Sequence, residues 1–297
     1  MIDTIIRGGI KMKMKRLIAL VLCLLLAVCL PVFGAAAEED APFYLVLGDS
    51  IGYGSGLSNP REAVYGKIVA DTNGYDYAND AIPGYTTTAL LRLMQTENVK
   101  ADIEKADIIN ISIGGNNYLL GNMMKLMADV LVKGDDSGFA AIGEDYYADL
   151  CEIIGAIREW NPDAVILMQT LYNPQTGYVG EVYDHGTKWI NDSVNRYAEE
   201  HPGEIEIVDV AARLTDHPAD FAADRIHPSA AGNEKIAAAI LEKLAELGLG
   251  DATEPVVTTP GKDARIPGGS VNVMEIYAKL LHFMSYVYNF FAKLSPR

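Results

Sequence analysis

The sequence predicts an α/β protein whose parallel sheet is covered by helices on both faces. Strand-like and helix-like segments alternate about five times between Phe43 and Leu247, as successive βαβ units do. The chain has 297 residues, 49% of them hydrophobic and 22% charged, enough to bury a full core as one large domain or two small ones. No repeat at solenoid periods interrupts the alternation.

In chain order, Phe43 to Leu47 reads as a strand that ends in Gly48-Asp49-Ser50, followed by a glycine-rich turn and a helix from Ala63 to Asp71. Asp76 to Ala81 is a weaker strand, and Thr87 to Met94 a helix. ADIINISI, from Ala106 to Ile113, is the clearest strand and runs into Gly114-Gly115-Asn116-Asn117. A long helical region follows to Asn161, with an interruption expected between Gly134 and Gly143. Strands from Ala164 to Gln169 and from Glu204 to Val208 flank a helix from Thr187 to His201. A last helix spans Ser229 to Leu247.

Both ends of the chain depart from this pattern. Lys11 to Arg16 is basic, Leu17 to Leu30 almost wholly apolar, and Ala35 to Ala37 small, the order of a secretory signal peptide over residues 1–37. An uncleaved anchor is the alternative, although the apolar run falls short of the ~20 residues that a span needs. Cys23 and Cys29 would leave with the leader, so Cys151 alone stays and no internal disulfide is expected. The leader carries five cations against Asp3, so the remaining chain is more acidic than the formal charge of -16. That charge excludes nucleic acid and other polyanions as partners and suits solubility outside the cell.

After a domain at 38–249, residues 250–269 shift to Thr, Pro, Gly and charge and read as a linker. Residues 270–297 form an amphipathic helical tail with one narrow polar stripe that includes Glu275, Lys279 and His282. Its wide apolar face must meet the domain, a second copy or a membrane.

Ser50 would sit at the C-terminal end of the first strand, where open α/β sheets bind their ligands. A serine nucleophile needs an imidazole base held by a carboxylate. Asp224-Arg225-Ile226-His227 sets such a pair in one loop ahead of the last helix. The oxyanion needs donors from other strand ends, and the side chain of Asn116 and the backbone N–H of Gly84 are candidates. Taken singly, each of these is an ordinary turn residue.

Together the four blocks, Ser50 in Gly48-Asp49-Ser50, then Gly84, Asn116 and His227, resemble the GDSL or SGNH hydrolase family. The resemblance covers about Phe43 to Leu247. It implies a three-layer α/β/α flavodoxin-like sandwich around a central, mostly parallel five-stranded sheet. It implies also a Ser50-His227-Asp224 triad and an oxyanion hole from the N–H groups of Ser50 and Gly84 with the Asn116 amide. Leu171-Tyr172-Asn173-Pro174 looks like a loop of bacterial lipase and acylhydrolase members. One departure is visible, because the family usually has G-x-N-D where this chain has Gly114-Gly115-Asn116-Asn117.

Gly48-Asp49-Ser50-Ile51-Gly52 also fits the nucleophile elbow of α/β-hydrolases. That fold puts several strands before its serine and its acid well ahead of its histidine, unlike the order here. The expected activity is therefore exported ester hydrolysis, on lipid acyl esters or an acetylated carbohydrate. A noncatalytic surface protein on the same fold is the other reading. YLLGNMMKLMADVLV, from Tyr118 to Val132, is either an acyl-pocket wall or core filler. No metal cluster or phosphate-cradling loop is present in the sequence, so no cofactor is expected.

Overall fold

A computed structural model describes residues 41–214, 218–265 and 273–294. The leader read from residues 1–37 lies outside the described residues. Five strands, β1 (Phe43–Gly48), β2 (Asp76–Asn79), β3 (Ile108–Ser112), β4 (Val165–Gln169) and β5 (Glu206–Val208), form one sheet in the order β2-β1-β3-β4-β5. Every pairing is parallel, with Val46 opposite Asn79 on one side and Asn110 on the other. The chain leaves β1 for β2 on one side and then crosses to β3 on the other, so the crevice between β1 and β3 is the switch point where ligands bind.

The helices are α1 (Ser50–Tyr53), α2 (Pro60–Ala63), α3 (Tyr65–Asn73), α4 (Thr87–Met94), α5 (Glu97–Lys105), α6 (Gly115–Leu119) and α7 (Met123–Ala128). They continue with α8 (Ser137–Trp160), α9 (Gly177–Glu200), α10 (Val210–Leu214), α11 (Ala230–Glu246) and α12 (Val273–Leu294). Period-2 alternation in the strands sorts the core into two halves. Leu45, Leu47, Ile109 and Ile111 pack with Leu90 of α4, Ile103 of α5, Ile153 of α8 and Val194 of α9. Tyr44 and Val46 point the other way, onto Ile68 of α3 and Ile236 and Ile240 of α11. Each such buried aliphatic side chain contributes about 1.5–3 kcal/mol, which is what holds the three layers together.

The differences from the sequence-based expectations have local causes. Helix α9 starts at Gly177, ten residues before the expected Thr187, because Val179, Val182 and Tyr183 gain burial on the core that their neighbours' propensities do not signal. Helix α5 is largely charged and was not expected, but Val99 and Ile103, one turn apart, are buried. The interruption near Gly134 is shorter than expected, since α8 resumes at Ser137 and carries Gly143 within it. Helix α3 begins at Tyr65, after α2, where Asn233 of α11 accepts the Tyr65 N–H at 3.1 Å.

Residues 256–264, within the stretch read as a linker, run along the domain. Val256 N–H donates to Thr72 Oγ1 (2.9 Å), Ser58 N–H to the Lys262 carbonyl (2.7 Å), and Ala264 N–H to the Gly56 carbonyl (2.9 Å). Asp263 accepts the Ala230 N–H at the start of α11 (2.8 Å). Helix α12 packs on α9 and on the π-helical turn Asp129–Lys133, burying Ala278 and Leu281. Among the described residues no helix is long and apolar enough to cross a membrane.

Gly48 closes β1 at φ +142°, and a Cβ there would lie 2.0 Å from the Ser112 carbonyl oxygen of β3. Gly48→Ala is expected to lower stability by roughly 2–4 kcal/mol, because neither the strained φ nor the strand contact can relax cheaply. Thermal or urea unfolding of the variant beside wild type measures this.

Candidate active site

Ser50 is the first residue of α1, placed at the sheet edge by β1. Asp49 caps that short helix, its carboxylate accepting the Ile51 N–H at 2.9 Å, while its own N–H donates to the Ser112 carbonyl at 3.1 Å. The serine is therefore tied to the ends of both β1 and β3.

His227 and Asp224 come from the loop before α11. His227 Nε2 lies 2.8 Å from Ser50 Oγ, and His227 Nδ1 lies 2.6 Å from Asp224 Oδ2. An ionised carboxylate only accepts, so Nδ1 carries the proton of the neutral ring and Nε2 offers its lone pair to the serine hydroxyl. The other Asp224 oxygen accepts the N–H groups of Ile226 (2.9 Å) and His227 (3.0 Å). This turn requires the left-handed conformation at Arg225, φ +55°, between acid and base. Partial burial pushes the Asp224 carboxyl up, but the His227 ring and the two backbone N–H groups outweigh it and hold the pKa below the ordinary value. The loop is also gripped from the segment after β4, where Tyr172 O–H donates to the Ile226 carbonyl at 2.9 Å and Gln175 donates to the Arg225 carbonyl.

The candidate oxyanion residues are less uniformly placed. Asn116, in α6 beyond β3, lines the same cavity as Ser50 and His227. Its amide nitrogen donates to the Tyr85 carbonyl at 2.9 Å and lies 3.4 Å from Asp49 Oδ2. Gly84, at φ +83°, does not line the cavity; it is joined to the site through the bond that its neighbour Tyr85 accepts from Asn116.

The departure at Asn117 has a structural account. Its side chain accepts the Thr87 N–H (3.2 Å) and donates to Thr87 Oγ1 (2.8 Å), while the Thr87 hydroxyl donates to Asp149 of α8. The hydroxyl has one proton to give, so a carboxylate at position 117 would compete with Asp149 for it. In this chain the charge stands at 149 and the amide at 117.

A cavity of about 800 Å³ opens over Ser50, with Leu119, Leu120, Met123 and Met124 on one wall and Tyr172 and Tyr183 on the other. The stretch from Tyr118 to Val132 divides: its first half lines the cavity, and Leu126, Met127, Val130 and Leu131 belong to the core.

Three participants were not foreseen in the sequence. Asp49 is buried beside the nucleophile, and only its adjacency to Ser50 marks it. Asp149 and Asp263 carry no local signal, since one lies within a long helix and the other in a stretch of Thr, Pro and Gly.

A serine bonded to an aspartate-held imidazole, at the switch point of an open parallel sheet and below an apolar cavity, puts the molecule among α/β serine-hydrolase architectures. The chain belongs to the GDSL-like Lipase/Acylhydrolase family, whose model matches residues 46–235. It is 27% identical over 220 residues to the spore germination lipase LipC of Bacillus licheniformis, covering 70% of this chain and 96% of that one. To YpmR of Bacillus subtilis it is 25% identical over 214 residues, 68% of this chain and 81% of that one. The crystal structure of the lipase Lip_vut3 from a goat rumen metagenome superposes with a TM-score of 0.56 at 22% identity, over 70% of this chain and 98% of that one, and shares the fold.

Asp49 is 3% exposed, and burial raises its carboxyl to about 7 against the opposing pull of the Ile51 N–H and of His227. A carboxyl raised on folding costs stability once it ionises. The cost is absent below the unfolded value near 4, grows as pH rises, and is complete above about 7. Asp49→Asn is therefore expected to raise the melting temperature at pH 8 and to leave it nearly unchanged at pH 4, as a pair of calorimetric scans would show.

Proposed function

We propose that this family member is an exported serine esterase that acts through an acyl-enzyme on esters with a medium or long acyl chain. The observation that carries it is the unbroken relay from Asp224 through His227 to Ser50, opening directly into the apolar cavity. Ser50 Oγ attacks the ester carbonyl carbon while His227 Nε2 takes its proton, and Asp224 stabilises the imidazolium so formed. Charge that develops on the carbonyl oxygen meets the N–H of Ser50 and the Asn116 amide. Collapse returns the proton from His227 to the leaving alcohol and leaves an acyl group on Ser50. Water, activated by the same imidazole, then hydrolyses that acyl-enzyme.

The cavity favours a lipid-like acyl group over acetyl. At about 800 Å³ it lies near the upper end of small-molecule sites, far more than two carbons need. The name of the Bacillus licheniformis relative, a spore germination lipase, points the same way. The leader supports export, and the complete relay weighs against a noncatalytic surface protein.

Ser50→Ala is expected to reduce aryl-ester hydrolysis by roughly 10⁴-fold or more and to abolish labelling by a fluorophosphonate. Unchanged turnover in that variant would end the proposal. Asn116→Ala should lower kcat by roughly 100- to 1000-fold with little change in KM, the pattern of a donor used only in the transition state. Across p-nitrophenyl esters, kcat/KM should rise with each added methylene by up to roughly fourfold, the equivalent of about 0.8 kcal/mol of burial, until the cavity is filled. A preference for acetyl over octanoyl would instead favour a carbohydrate deacetylase.

A further inference from the structure

We propose that the exposed face of α12, with the lip of the cavity formed by Leu120 and Met124, docks on a lipid bilayer surface and takes ester substrate from it. This rests on the esterase reading of the cavity. Helix α12 has two apolar faces. Ala278 and Leu281 are buried against the domain, whereas Ile276, Leu280, Phe283 and Met284, at i, i+4, i+7 and i+8, form a second stripe whose members are each more than half exposed. Four large apolar side chains on one stripe are more than the singly scattered hydrophobics of an ordinary surface.

This stripe lies beside the entrance to the catalytic serine. Tyr277 Oη is 3.5 Å from the Met124 carbonyl, and Met124 and Leu120 line the cavity while being well exposed themselves, Leu120 at 64%. On the other side His282 stacks on Tyr178, ring centroids 4.0 Å apart, just beyond the Pro174 segment that also lines the cavity. The helix is thus seated along the rim of the site.

The position of the mouth decides the occupant. A protein that covered this surface would seal Leu120 and Met124 and close the cavity, whereas a bilayer would present its own acyl esters there. A second copy would also bring a formal charge of -16 against the first. Since no described helix crosses a membrane, α12 would lie in the interface plane.

The test is flotation with vesicles of phosphatidylcholine. It uses the chain from Glu38 onward, so that the apolar leader does not itself bind lipid; residues 41–297 form a compact unit of their own. Wild type and Ser50→Ala should float alike, and the double variant Leu280→Ser with Phe283→Ser should lose partitioning by about tenfold or more. That double variant should keep wild-type turnover of a soluble short-chain ester and lose turnover of an ester carried in the vesicles. Equal flotation of the double variant and wild type would overturn the proposal. So would a dimer, seen by sedimentation without lipid, that the double substitution dissociates. Flotation is read without turnover, so a failure of this surface is distinguishable from a failure of the esterase reading.

Discussion

The 2.8 Å contact between Ser50 and His227 joins residues 177 positions apart, and much of the molecule serves to hold it. A hydrogen bond of that length tolerates little relative movement of the first strand and the last loop. The two segments are brought so near that a Cβ on Gly56 would stand 2.0 Å from the Pro228 carbonyl oxygen. Tyr172 holds the base loop from the segment after β4, and Asp263 ties the first turn of α11 to the segment that also bonds the Gly56 carbonyl. What these braces provide is preorganisation, which holds serine, imidazole and carboxylate together without the entropy cost of assembling them.

Two carboxyl groups near the same imidazole have opposite surroundings. Asp224 accepts two backbone N–H groups and the His227 ring, and is held charged. Asp49 accepts one backbone N–H, is nearly inaccessible, and is pushed up to about 7. Hydrogen bonding wins in the first case and desolvation in the second. The imidazole therefore has one carboxyl held charged beside it, while the second, next to the serine, is raised by its burial.

The strands and the site residues Ser50, Asn116, Asp224 and His227 were legible because each rests on a short-range pattern. An apolar run that ends in glycine is a strand reaching a turn, and D-x-x-H fits one loop. Gly84 was placed beside the site by the same reasoning, but only the bond from Asn116 to Tyr85 shows how it is attached. What escaped depends on contacts between distant segments. The start of α9 is decided by the core beneath Val179 and Val182, and the link between Asn117 and Asp149 by a threonine 30 residues from one and 62 from the other. No window of sequence contains those partners together.

Residues 256–264 also bear on where this domain ends. Composition shifts at residue 250 and the family match ends at residue 235, yet the backbone goes on exchanging hydrogen bonds with the nucleophile side of the domain as far as Ala264. A fragment cut after Leu249 would keep every residue of the relay and all five strands. It would leave the Ala230 N–H without its Asp263 acceptor and Ser58 and Asn59 without their bonds to Lys262, with His227 only two residues from the N-cap of α11. Satisfied hydrogen bonds thus join the domain to the chain as far as Ala264, about thirty residues beyond the family match.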